Sequence, residues 1–152
     1  MAQAPTLTRA DFPVVRVVPT RWADNDHYGH VNNATYFEYL DTAVNGWLME
    51  ATGTDIREEP SLGIVASVGC DFYGEVGFPD VLEVGLATTR VGTSSIRYRL
   101  AVFRVGDQSL RALAHFVHVY VDRTTRRPVS IPDAVRAAVD TLPRLPGTET
   151  PA

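Results

Sequence analysis

One segment with helical periodicity, set among many strand-like segments, constrains the fold of this chain most strongly. Apolar side chains recur at steps of three and four from Tyr36 to Ala51, as they do along the buried face of a helix. Asn32 and Asn33 stand before this stretch as helix caps, and Gly53 follows it as a stop. The wide aromatic stripe leaves only a narrow polar face. The pattern therefore predicts one long, substantially buried helix.

Strand-like segments precede and follow this helix. The first runs from Phe12 to Trp22 and the later ones are Ile64–Val76, Val81–Val91, Ser95–Val105, Leu110–Asp122 and a short Val129–Ile131. The five later segments are separated by short turn sequences, which favour antiparallel neighbours. A short amphipathic helix is predicted over 132–140, with proline in its first turn. This is an α+β layout in which an antiparallel sheet wraps around one long central helix.

The chain is the size of one domain, and we expect that domain to span residues 11–142. The ends, 1–10 and 143–152, are rich in Pro, Thr and Gly, which is typical of flexible termini. One helix can cover only one face of the sheet, so we expect the other face to meet solvent or a second copy. The chain is therefore predicted to form a homodimer or homotetramer.

Composition excludes several function classes. The formal net charge of −4 argues against nucleic acid and against a polybasic membrane surface as partners. The single cysteine, Cys70, excludes an internal disulfide, and the absence of lysine excludes Schiff-base chemistry. The beginning of the chain lacks the pattern of a secretory signal, and no apolar run is long enough for a membrane span. We expect a cytoplasmic protein.

The chemistry is concentrated in residues 21–41, RWADNDHYGHVNNATYFEYLD. Asp24, Asp26, His27 and His30 lie within seven residues, directly before the start of the predicted helix. A carboxylate there lies beside backbone N–H groups that have no partner within the helix and can hold a developing oxyanion. Such a carboxylate can activate water or attack a carbonyl itself. The spacing of these acids and histidines matches no zinc signature, so no metal is expected.

The run Asp24-x-Asp26-x-x-Gly29-His30-Val31-Asn32-Asn33-x-x-Tyr36 resembles the signature of hotdog-fold acyl-CoA thioesterases, and most of all the 4-hydroxybenzoyl-CoA thioesterase family. The resemblance implies that a sheet wraps a central helix, that dimers pair their sheets edge to edge, and that active sites lie at the dimer interface. It also implies hydrolysis of an acyl thioester carried by coenzyme A or by acyl-carrier protein. No cofactor is needed, because a thioester is already activated.

The same resemblance assigns roles to residues of this motif. It makes Asp26 the catalytic carboxylate, and it makes the backbone N–H of Asn33 the donor to the thioester oxygen. We expect Tyr28, His30 and Asn32 to position the substrate, although Asn32 also fits a helix cap and His30 a satisfied core histidine. Asp24 is interpreted as a hydrogen-bond anchor of the loop, and Asp41, further along the helix, as a residue that bonds back to it.

A second group is expected to contact the phosphates of coenzyme A. Arg90 offers a guanidinium, and the turn at Thr93, Ser94 and Ser95 offers backbone and hydroxyl donors. Two further functions stay open at this point. A related hotdog protein could hydrate or dehydrate an acyl thioester with an aspartate–histidine pair, and a non-catalytic protein could simply bind acyl thioesters.

Overall fold

The computed structural model describes residues 3–147. In chain order its elements are β1 (Val15–Pro19), α1 (Asn33–Thr52), β2 (Ser61–Phe72), β3 (Val81–Val91), β4 (Ser95–Arg104), β5 (Ala112–Asp122) and α2 (Asp133–Val139). Short 3-10 turns at Arg9–Asp11 and Trp22–Asp24 flank β1. Residues 1–2 and 148–152, which belong to the ends expected to be flexible, lie outside the described residues.

The long helix α1 begins and ends where the sequence predicted. The side chain of Asn32 accepts a hydrogen bond from the N–H of Ala34 at 3.0 Å, and Gly53 ends the helix with a φ of +68°. A positive φ costs glycine little, so Gly53 can turn the chain sharply there. At 1.5 Å per residue, the twenty residues of α1 extend about 30 Å.

The five strands form one antiparallel sheet in the order β1-β3-β4-β5-β2. Helix α1 packs on one face of this sheet and buries its apolar stripe there, which confirms the predicted α+β fold. The main core includes Leu40, Val44, Leu48, Leu86, Tyr98, Leu100 and Phe116. Strands β1 and β2 are the two edges, and β2 pairs only with β5 among the described strands.

Three strand predictions were wrong. Strand β2 covers Ser61–Phe72 rather than Ile64–Val76. Strand β1 covers only Val15–Pro19, because the chain turns at Trp22–Asp24 to enter the loop before α1. Val129–Ile131 is not a strand, because its N–H groups donate to different elements: Val129 to the carbonyl of Tyr120 in β5, and Ile131 to the carbonyl of Thr93 in the β3–β4 turn. This segment bridges two parts of the sheet rather than extending one ladder.

The sheet face opposite α1 is partly covered by the chain's own ends. Phe12 is fully buried against Phe103, with ring centroids 5.8 Å apart. A Cβ at Gly85 would lie 2.6 Å from the Phe12 ring, so glycine is required for this packing. At the other end of the chain, Leu145 donates its N–H to the carbonyl of Thr88 at 2.8 Å. Leu7 and Leu145, on either side of the expected domain 11–142, therefore both pack against this part of the sheet, and the domain limits stay a prediction.

Candidate active site at the start of the central helix

The loop between β1 and α1 closes on itself around Asp26. Asn25 and Val31 form an isolated antiparallel bridge, and the N–H of Asp26 donates to the carbonyl of His30 at 2.8 Å. Gly29 turns the chain with a φ of +82°. One carboxylate oxygen of Asp26 accepts from the N–H of Tyr28 at 2.8 Å, and the other accepts no hydrogen bond from residues 3–147. The loop thus holds Asp26 and leaves one of its oxygens available.

The loop is fixed to the segment that follows β2. The N–H of Val31 donates to the carbonyl of Val76 at 2.9 Å, and the N–H of Phe78 donates to the side-chain oxygen of Asn25 at 3.0 Å. A Cβ at Gly77 would lie 2.8 Å from the carbonyl oxygen of Gly29, so the two segments approach too closely for any other residue. Asp26 therefore lies on a loop that is held from both sides.

Asp24 anchors the loop, as predicted. Its carboxylate is only 2% exposed and accepts hydrogen bonds from the hydroxyl of Tyr39 at 2.5 Å and from the backbone and guanidinium of Arg21. Burial by itself raises the pKa of this carboxyl. The hydrogen bonds from Tyr39 and Arg21 lower the pKa by a larger amount, so the net pKa is below its usual value. Its carbonyl accepts from the N–H of Asn32 at 2.9 Å, which ties the loop to the start of α1.

A cleft of about 530 Å³ opens at the start of α1. It is lined by Asp26, Tyr28, His30, Val31, Asn33, Tyr36, Phe72, Gly74, Glu75 and Val76. Asp26 is half-buried and Tyr28 is exposed. The structure therefore brings together four residues that the sequence placed in one site, namely Asp26, Tyr28, His30 and Asn33.

The start of α1 leaves one backbone donor in this cleft. The N–H of Ala34 donates to the side chain of Asn32, and the N–H of Thr35 donates to the carbonyl of Asn32. The N–H of Asn33 has no hydrogen-bond acceptor within the described part of the chain. It lies at the positive end of the helix dipole, where an oxygen that gains negative charge is stabilised. Asn32 is the helix cap and is not among the residues lining the cleft.

His30 has a partner that sequence reasoning missed. Its Nε2 lies 3.0 Å from a carboxylate oxygen of Glu75, and both side chains are partly exposed. Glu75 follows β2, so the whole of α1 and β2 separates it from His30 along the chain. No local pattern connects the two, and only the folded arrangement of β2 beside α1 could have revealed the pair.

The residues expected to contact coenzyme A phosphates do not reach this cleft within one chain. Ser95 pairs with Val119 of β5, which in turn pairs with Ile64 near the start of β2. The cleft lies instead at the other end of β2, at Phe72. Eight residues of strand separate the two, about 26 Å at 3.3 Å per residue. Arg90 and the turn of Thr93, Ser94 and Ser95 therefore stay a prediction that would require a second subunit.

Three further observations concern residues outside the proposed chemistry of the cleft. Asp41 is exposed and accepts from the Asn45 side chain at 3.0 Å, so the expected bond back to the loop was wrong. Cys70 is half-buried, and burial raises the pKa of its thiol to about 12, which leaves it protonated at neutral pH. Within residues 3–147 no three His, Cys, Asp or Glu side chains cluster as metal ligands would.

The described helices include none with the length and apolar character of a membrane span. The cytoplasmic location and the oligomeric state expected from the sequence stay predictions.

The five-stranded antiparallel sheet with one long helix packed against it matches the hotdog fold of thioesterases. A family model, the Thioesterase-like superfamily, matches residues 20–139. The chain belongs to this superfamily.

Comparison with known structures agrees with this assignment. The PA5185 protein of Pseudomonas aeruginosa is 43% identical, with a TM-score of 0.89 over 94% of this chain and 100% of that one. A thioesterase from Thermus thermophilus, solved with coenzyme A and Zn, is 29% identical, with a TM-score of 0.70 over 84% of this chain and 98% of that one.

A curated relative extends the comparison in sequence. The uncharacterized protein YsmA of Bacillus subtilis (strain 168) is 26% identical over 88 residues, which are 58% of this chain. The match spans 59% of the length of YsmA.

Proposed function

We propose that this protein is an acyl-CoA thioesterase, which hydrolyses an acyl-CoA thioester to a carboxylic acid and free coenzyme A. The observation that carries the proposal is the shared cleft: Asp26 and Asn33 both line it, and the N–H of Asn33 has no acceptor within residues 3–147. Membership of the Thioesterase-like superfamily supports it, as does the coenzyme A bound to the Thermus thermophilus thioesterase.

The proposed reaction uses these two groups together. The thioester oxygen accepts a hydrogen bond from the N–H of Asn33, and this donor stabilises the negative charge that develops as the carbonyl carbon becomes tetrahedral. Asp26 either takes a proton from the attacking water or attacks the carbonyl itself. The C–S bond then breaks, and the coenzyme A sulfur leaves with the electron pair and acquires a proton. In the nucleophilic route, water hydrolyses the acyl–Asp26 anhydride in a second step.

Two side chains in the cleft are proposed to position the substrate. Tyr28 is 86% exposed, so its ring is available to a bound group, and His30 is held by Glu75 at the rim. Asn32 contributes through the helix start that it caps. Acyl-carrier protein is the alternative carrier of the thioester.

We also propose that the protein assembles as a homodimer or homotetramer through β2. This strand is an edge of the sheet, and its Ile64, Val65 and Val68 are 39–46% exposed. An edge strand with exposed apolar side chains and unpaired backbone groups is suited to pair with another copy. Antiparallel pairing of two β2 strands would place the start of one beside the end of the other. Arg90 and the Thr93–Ser95 turn of one subunit would then approach the cleft of its partner.

The test is a panel of saturated, unsaturated and aromatic acyl-CoA substrates with colorimetric detection of free thiol. The proposal expects thiol release from at least one substrate at a rate proportional to enzyme concentration. Loss of enoyl-thioester absorbance without free thiol would instead identify a hydratase. Coenzyme A affinity without turnover of any substrate would identify a binding protein, and either result would refute the proposal.

A further inference from the structure

A second cavity, separate from the cleft, lies at the other end of α1. It holds about 260 Å³ and is enclosed by the C-terminal half of α1, the loop that follows it, the start of β2, the end of β5 and α2. Most of its surface is apolar, and Leu48, Ile56, Leu62, Tyr120 and Val135 contribute to it. Leu48 lies fifteen residues beyond Asn33, about 22 Å along the helix axis. Within one chain this cavity is therefore remote from Asp26.

The cavity has one unusual polar feature, the imidazole of His118 on its wall. His118 is only 2% exposed, and its buried Nδ1 has no hydrogen-bond partner in the described part of the chain. Neither ring nitrogen is bonded to any side chain or backbone group of residues 3–147. The faces that surround it are the aromatic rings of Tyr98, Phe116 and Tyr120, at centroid distances of 5.0 to 6.3 Å.

An unpartnered polar group in such surroundings is uncommon, because it loses its hydrogen bonds to water and gains none from the protein. Burial also lowers the pKa of His118 to about 4, so the ring is neutral at physiological pH and offers one donor and one acceptor. A group that can both donate and accept, such as a hydroxyl, matches this ring.

The size of the cavity limits what can carry that hydroxyl. An apolar cavity of about 150 Å³ is enough to bind benzene. The space here is larger and admits a substituted ring or a short branched chain. Gly63 keeps this space open beside His118, because a Cβ there would lie 3.1 Å from the Tyr120 ring and 3.3 Å from the His118 ring.

We propose that this cavity is a binding site for a small apolar group that carries a hydroxyl, with His118 as its hydrogen-bonding partner. The apolar wall binds the body of the group, and the imidazole selects the hydroxyl. Two sources could supply this chemistry: a free small molecule, or the acyl part of a thioester bound across subunits. The binding site itself does not depend on the proposed thioesterase activity.

The test compares two probes of nearly equal shape, benzyl alcohol and ethylbenzene, which differ in a hydroxyl against a methyl group. Binding to the full-length protein is measured by calorimetry and by the ¹⁵N shifts of the histidine rings. We expect both probes to bind the wild type and only benzyl alcohol to shift the His118 resonances. His118→Phe should weaken the binding of benzyl alcohol relative to that of ethylbenzene at least tenfold, about 1.4 kcal/mol.

Two further variants keep the test decisive. His115, on the opposite face of β5, provides the matched control, and His115→Phe should leave the relative affinity of the two probes unchanged. Ala134 is exposed at the edge of the cavity, so Ala134→Trp should fold normally and prevent binding of both probes. The proposal is overturned if neither probe binds the wild type, if Ala134→Trp binds both unchanged, or if His118→Phe keeps the wild-type ratio of affinities.

Kinetics distinguish the two sources of the hydroxyl-bearing group. With hexanoyl-CoA as substrate, benzyl alcohol should raise KM without changing kcat if the cavity receives the acyl part of the thioester. If the cavity binds a separate molecule, benzyl alcohol should leave the KM for hexanoyl-CoA unchanged even when benzyl alcohol saturates the cavity. The binding measurements do not require turnover, so they can be made even if hexanoyl-CoA is not hydrolysed. Failure of the proposed thioesterase activity is therefore distinguishable from failure of this binding site.

Discussion

The buried imidazole of His118 should make the stability of this protein depend on pH in a specific interval. Burial lowers its pKa from 6.5 to about 4, so the folded protein binds this proton less readily than the unfolded chain. Between pH 6.5 and 4 the unfolded state therefore binds more protons, and the free energy of unfolding falls as the pH falls. Each unit of pKa difference corresponds to 1.36 kcal/mol, so the loss attributable to His118 is about 3 kcal/mol.

The perturbation is His118→Phe, which keeps a ring of similar size and removes the titrating group. Urea unfolding curves of the wild type and the variant are measured at pH 7, 6, 5 and 4, and the difference between their free energies of unfolding is plotted against pH. We expect this difference to change by about 3 kcal/mol across the interval, in favour of the variant at low pH. Taking the difference cancels the contributions of the other titrating groups.

Leu48→Ala is the matched control, because Leu48 lines the same cavity and is 1% exposed but does not titrate. Leu48→Ala should lower the free energy of unfolding by about 2–5 kcal/mol, and this loss should be the same at every pH. If the difference curve for His118→Phe is as flat as that of Leu48→Ala, His118 is not a buried neutral imidazole and the reasoning is refuted.

The loop, the helix start and the sheet edge each give a further prediction. Asp24→Asn should destabilise the fold by about 1–3 kcal/mol in urea unfolding at pH 7, because it removes a buried charged partner of Tyr39 and Arg21. The difference in free energy of unfolding between variant and wild type should shrink as the pH falls through the lowered pKa of Asp24. Asn33→Ala should keep kcat within a few-fold and leave Tm nearly unchanged, because the proposed donor is the backbone N–H and Asn32 is the cap; a thousandfold loss in steady-state kinetics would show that the side chain is needed. Val65→Lys on the edge strand β2 should reduce the mass measured by light scattering towards one chain of 16.7 kDa, whereas Val17→Lys on the other edge strand, β1, should not. A wild type that is already monomeric would contradict the proposed assembly.

The features that the sequence predicted well are those set by local chemistry. Helix α1 has a cap, a periodic apolar face and a glycine stop within about twenty residues, so its limits could be read directly. The limits of β3 were equally clear, because turn residues bracket it. The loop motif likewise placed Asp26, Tyr28, His30 and Asn33 in one site, because all four lie within eight residues of one another.

The features that it missed depend on contacts between distant segments. Glu75 reaches His30 only because the end of β2 lies beside the start of α1. Arg90 and the Thr93–Ser95 turn lie at the opposite end of the sheet from the cleft. This follows from the register of β4 on β5 and of β5 on β2. Alternation along β5 puts His115 and His118 on opposite faces of the strand, but only the folded structure shows that His118 is the buried one. A one-residue change of register would exchange the two faces, and a single sequence does not fix it.

The most direct test of the central claim compares Asp26→Asn with Asp41→Asn, two nearly isosteric changes at partly or fully exposed acids. For a substrate that the wild type hydrolyses, kcat is measured by thiol release, and Tm is measured by thermal melting. Asp26→Asn should lower kcat at least about a hundredfold with little change in Tm, because it removes the general base or nucleophile. Asp41→Asn should leave both nearly unchanged, since Asp41 is exposed and, within residues 3–147, its carboxylate accepts a hydrogen bond from Asn45 alone. Normal turnover by Asp26→Asn, or loss of activity in a folded Asp41→Asn, would contradict the account.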